Sequence, residues 1–171
     1  MYKAFSVSVF LLGSMGLLYQ QWYARQQRIQ FLQEMQTCLL RMQQAVLKRN
    51  LPVMAVLAME SEREVTGLCT YFTQVRLRLS LHNKETMEAV LREELTPELK
   101  AMTKEEERVL FMQALCSLFS ANVPGEAQDF SVFYEAFSHQ VMVEERTKKE
   151  RGKVTACTTG MGLMMLLLLL L

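Results

Sequence analysis

The stretch "RIQFLQEMQTCLLRMQQAVLKRNLP" (Arg28–Pro52) decides how the rest of the chain is read. Ile29, Leu32, Met35, Leu39, Met42 and Val46 recur at steps of three and four residues, the signature of one apolar helix face. "RNLP" ends that helix, because Pro52 lacks a backbone donor and pushes Leu51 out of the helical region. Most of the chain downstream keeps the same period, so the expected fold class is all-α.

Toward the C-terminus the spacing predicts a second helix from about Val53 to Leu79, with Leu57, Val65, Leu68, Phe72, Val75 and Leu79 facing inward. "VRLRLSL" alternates in the manner of a strand, but its neighbours keep helical period and it is read as helix. "SLHNKE" is a turn. A short helix, roughly Glu85 to Leu95, is closed by "TPE", where Thr96 can cap and Pro97 can take the first helical position. Thr103 and Glu106 form a capping box for "KEEERVLFMQALCSLF". "NVPGE" reads as a loop, and the last helix starts near Ala127 with Phe130, Phe133, Tyr134, Phe137 and Val141 along one face.

Both ends of the chain are apolar. "VTACTTGMGLMMLLLLLL" (Val154–Leu171) carries no charge and follows the basic "RTKKERGK". As a helix it would span roughly 27 Å at about 1.5 Å per residue, close to the ~30 Å hydrocarbon core of a bilayer. A buried core helix is the competing reading, and it would be expected to keep a polar face. At the other end "AFSVSVFLLGSMGLLY" (Ala4–Tyr19) is uncharged, with Tyr2, Tyr19, Trp22 and Tyr23 at positions suited to an aromatic belt. It also fits a cleaved signal peptide, with Lys3 as the basic start and Ser14-x-Gly16 as the small-residue site. The flanking charges favour two anchors. Arg25, Arg28, Arg146, Lys148, Lys149, Arg151 and Lys153 lie on the inner sides, and only Lys3 lies outside. The expectation is therefore an anchor at 1–19, a cytoplasmic helical domain at 20–153 and a second anchor at 154–171. The first and last helices of the domain would be long and continuous with the anchors.

Composition narrows the function. Lys3 aside, the 19 basic and 18 acidic residues all lie between the apolar ends, whose intervening domain is formally neutral. No basic stripe for nucleic acid stands out, and lipid headgroups are the simpler partner of the flanking Arg25, Arg28, Lys148, Lys149, Arg151 and Lys153. The 4 cysteines, Cys38, Cys69, Cys116 and Cys157, stand far apart and read as reduced thiols. His82 and His139 are the 2 histidines, and neither has a second ligand at metal spacing. There is no phosphate-cradling glycine loop, and Asp129 is the sole aspartate. "KEEER" reads as a solvated first turn that complements the helix dipole. No enzyme, cofactor or metal reading survives.

The order of these parts resembles the stage III sporulation protein AB family over nearly the whole chain. Leu51-Pro52-Val53 stands where the family has a Thr-Pro-Leu motif, keeping the proline and losing the threonine cap. Glu105, Glu106 and Glu107 match its acidic helix start. Leu118-Phe119-Ser120-Ala121-Asn122 stands in place of its Leu-Gly-x-Ser-Asp turn, and Gly160 matches the glycine of its final anchor. The family is similar to the platform proteins of type II secretion and type IV pili. The resemblance implies a non-enzymatic membrane part of the channel between mother cell and forespore, in the mother-cell membrane with its domain facing the cytoplasm. It also implies a secretion-type ATPase docked on that domain, sister membrane proteins, and possible homo-oligomerisation. Pro52, Glu105, Glu106, Glu107 and Asn122 are the candidate partner contacts. A two-anchor adaptor or sensor unconnected with sporulation is the competing class.

Overall fold

The computed structural model describes residues 2–63, 67–81, 86–120 and 129–148, and among them every regular element is helical. The elements are α1 (Tyr2–Gln43), a single wide π-helical turn (Gln44–Lys48), α2 (Val53–Ser61), α3 (Leu68–Leu81), α4 (Met87–Glu93), α5 (Pro97–Met102), α6 (Glu105–Ser120) and a last helix, α7, over 129–148. The chain divides into two compact units, one from Gln30–Gln140 and one from Met1–Ile29 with Val141–Leu171.

The larger unit is built on the stripe that opens the sequence reading. Leu32, Met35, Cys38, Leu39 and Met42 of α1 are sealed from solvent, as are Leu57 of α2, Tyr71, Phe72 and Val75 of α3, Leu91 of α4 and Phe111 and Leu115 of α6. Each such aliphatic or aromatic side chain contributes about 1.5–3 kcal/mol of burial. α2 packs on α3, α3 on α4, and α4 on α6. Tyr71 donates its hydroxyl to the Leu91 carbonyl at 3.0 Å, so even the polar tip of this core residue is satisfied. Phe111 and Phe137 bring their rings to 6.1 Å, which joins α6 to α7. Gln36 of α1 reaches α7 through the Ser138 hydroxyl at 2.9 Å and the Tyr134 hydroxyl at 3.2 Å.

Local chemistry explains the boundaries. Thr96 caps α5 by accepting from the Leu99 N–H at 3.3 Å, with Pro97 in the first turn as expected. The capping box at α6 is displaced by one residue. Thr103 closes α5 by donating to the Leu99 carbonyl, and Glu107, not Glu106, reaches back to the Lys104 N–H at 2.7 Å. The second helix is not continuous from Val53 to Leu79. It breaks after Ser61 and resumes at Leu68, with Gly67 at φ +93° in the left-handed region before the restart. His82, the "NVPGE" loop, Cys157 and Gly160 lie outside the described residues.

In the smaller unit, Tyr19 lies against Trp22 and Tyr23 at ring separations of 6.3 and 6.4 Å. Arg28 approaches Glu144 to 3.7 Å. The expectation of membrane anchors is corrected here: among the described residues no helix is long and apolar enough to cross a membrane. The physical reason is visible in α1. Its uncharged run from Ala4 to Tyr19 holds three serines and two glycines and falls short of the ~20 residues a span needs, and beyond it the helix is rich in glutamine and arginine. The second candidate, Val154–Leu171, lies outside the described residues. The transmembrane architecture, the membrane placement and the membrane-channel role rested on a pair of anchors and fall with the first, and so does the two-anchor sensor.

Candidate functional site

Pro52, the first of the expected contact residues, stands at a corner whose geometry is set before the proline is reached. α1 gives way to the π-helical turn, Asn50 takes φ +50°, and the Leu51 N–H bonds back to the Ala45 carbonyl at 3.1 Å. This left-handed closure ends a helix through asparagine, the residue after glycine most tolerant of it. Pro52 then starts α2, its carbonyl accepting from the N–H groups of Ala55 at 2.9 Å and Val56 at 3.2 Å. The wide turn carries one extra residue, which shifts the inward stripe. Ala45 is buried in place of the expected Val46.

Beside this corner lies a feature the sequence reading missed. Glu60, the penultimate residue of α2, is only 7% exposed. Its carboxylate accepts from Arg41 Nε at 3.1 Å and Arg41 Nη2 at 2.8 Å, a two-pronged pairing. Arg63 Nε stands 3.4 Å from the same carboxylate, and the Cys38 thiol donates to it at 3.6 Å. Burial, followed by the Glu60 charge, pushes the Cys38 thiol well above the usual thiol range, and it stays protonated. The hydrogen bonds that Arg41 donates to Glu60 raise its guanidinium further above its ordinary value. A signal for this cluster was available. Glu60 falls three residues after the inward Leu57, on the apolar side of α2, where an acidic residue needs a partner.

A pocket of about 200 Å³ opens over the cluster, lined by Arg41, Gln44, Ala45, Arg49, Val56, Met59, Glu60 and Arg63. Met59 of this lining is an exposed apolar side chain, and Leu40, Leu47 and Met54 of the same helical segments are exposed too.

The other expected contacts are separate features. Glu105 and Glu106 are exposed on the first turn of α6, and Glu107 is turned inward at 1% exposure. Asn122 lies outside the described residues, as do Lys149, Arg151 and Lys153. Of the basic flanks, Arg25 is exposed, Lys148 is half-buried, and Arg28 faces Glu144. A second pocket, about 300 Å³, lies between α4, α6 and α7 and is lined by residues including Glu88, Arg92, Cys116 and Phe133. Burial raises its Cys116 thiol to about 11, which leaves it a poor nucleophile at neutral pH. Among the described residues no group of His, Cys, Asp and Glu could hold a metal ion.

Among families of known proteins, the model of stage III sporulation protein AB matches residues 3–171. Neither the curated proteins nor the solved structures contain a match to the chain. Members of the matched family are structural components and not enzymes.

Proposed function

The chain belongs to the stage III sporulation protein AB family, and from that premise we propose that it is a non-catalytic docking part of a sporulation assembly that holds a secretion-type ATPase. Family membership supports interaction with other proteins of the sporulation complex. The observation that carries the docking reading is the α1–α2 corner. Its segments leave Leu47 and Met54 exposed, and Met59 lies with Arg41 and Arg63 at the pocket, on a backbone closed by its own hydrogen bonds. Exposed methionine, leucine and arginine on a rigid support are the composition of protein interfaces rather than of idle surface. Glu105 and Glu106 at the start of α6 are a second contact in this proposal.

Co-purification of the ATPase with the full chain from sporulating cells tests it. Leu47→Ser combined with Met54→Ser should reduce the retained ATPase about tenfold, the effect of losing roughly 1.4 kcal/mol of contact. Glu105→Lys with Glu106→Lys should reduce it less. If both double variants hold the ATPase as well as the wild type and sporulate at the same efficiency, the docking reading is wrong.

A further inference from the structure

The pocket over Glu60 holds more positive charge than its own carboxylate uses. Arg41, Arg49 and Arg63 line it against the single Glu60, an excess of two positive charges. Glu60 takes two of the five N–H donors of Arg41, through Nε and Nη2. It approaches Arg63 at Nε, and among the described residues the terminal nitrogens of Arg63 make no further ion pair. Arg49 is exposed and forms no ion pair among the described residues. The buried glutamate therefore acts as a bracket. It fixes two guanidinium groups from two different segments, so that their remaining donors need little further ordering to bind an anion. The rest of the lining is apolar at Ala45, Val56 and Met59, with the Gln44 amide at one side.

We propose that this pocket receives a carboxylate side chain of a partner protein, a glutamate or aspartate with an apolar residue beside it. The planar carboxylate matches the two-pronged donor geometry that Arg41 already shows toward Glu60. Met59 and Val56 supply the contact for the apolar neighbour. A volume of about 200 Å³ admits one such side chain and not a folded element. The partner class, another protein of the assembly, rests on the docking reading above, but the carboxylate chemistry does not depend on which protein supplies it.

The test uses the full chain labelled for NMR at the arginine Nε–Hε groups and methionine methyls, titrated with N-acetylated, C-amidated Leu-Glu-Leu, its Leu-Gln-Leu counterpart, acetate and inorganic phosphate. Leu-Glu-Leu should give saturable shifts at Arg41, Arg63 and Met59, and Leu-Gln-Leu should not. Arg49→Gln and Arg63→Gln should each weaken the peptide about threefold, the size expected of a partly exposed ion pair. Both variants leave the Arg41–Glu60 pair intact, so the fold is kept. Equal binding of the glutamine peptide overturns the proposal. So does acetate or phosphate binding as tightly as Leu-Glu-Leu, which would mark a general anion site and not a receptor for an acidic segment. No ATPase is present in this experiment. Loss of ATPase retention by the corner variants with peptide binding intact, or the reverse, separates the two conclusions.

Discussion

Glu107 differs from the two glutamates before it in what surrounds its carboxylate. It is 1% exposed, and its Oε2 accepts from the Lys104 N–H at 2.7 Å, satisfying one of the open donors at the start of α6. Glu107→Ala should therefore destabilise the fold by about 1–3 kcal/mol, because a part-buried N–H at the helix start loses its acceptor and a small void is left where the buried side chain stood. Glu105→Lys and Glu106→Lys should each stay within about 0.5 kcal/mol. Urea unfolding of the three variants checks the contrast, and equal midpoints would refute it. The sequence announces a capped acidic helix start here, with Thr103 as the expected cap and Glu106 as its partner. Only the competing bond from Thr103 to the Leu99 carbonyl decides that the helix starts one residue later. Glu60 was missed for a different reason. The apolar residues of α2 carry its period, and a single acidic residue on the same side leaves that period unchanged.

Gly67 separates α2 from α3, and nothing in the period of the neighbouring residues reveals it. Leu57, Val65, Leu68 and Phe72 fit one helical face with the glycine read through as an interior position. The φ of +93° is what rules that out, together with the closeness of the Phe31 ring. A Cβ at this position would meet Phe31 Cε2 at 3.1 Å in a conformation that L side chains rarely adopt. Gly67→Ala should cost more than about 1 kcal/mol, read as a lowered urea midpoint with an unchanged slope. A neutral or stabilising result would mean that the backbone there is not held left-handed. By contrast the Thr96–Pro97 start of α5 was readable, because both residues act through their own covalent structure. The proline break was half readable. Pro52 does stand at the boundary, but Asn50 and the bond from Leu51 to Ala45 already end the helix before it.

The class of the molecule was legible because period-3.6 burial runs through nearly every element, whereas the anchors were inferred from hydropathy at the ends, without the burial evidence that supports the bundle. The interior has a consequence for the whole fold. Burial raises the Cys38 thiol and the Tyr71 hydroxyl above their ordinary ranges, and raises Cys116 to about 11. The unfolded chain releases these protons near the ordinary values, about 8.5 for cysteine and about 10 for tyrosine, while the folded chain keeps them. The unfolded state thus binds fewer protons at alkaline pH, and stability present below about pH 8.5 is lost as pH rises. Urea midpoints should fall steadily between pH 8 and 10.5, less steeply in a Cys38→Ser, Tyr71→Phe variant. A flat profile would contradict the assignment. The π-helical turn at Gln44–Lys48 has a different kind of consequence. Each residue of a helix advances the chain by about 100° around its axis. Five residues where an α-helical turn needs fewer make this segment a phase shifter, and it sets the bearing of Arg49 relative to Arg41. A one-residue deletion there would be felt as a turn of the key more than as a shortening of the shaft, leaving a helix of nearly the same length with its guanidinium groups aimed past one another.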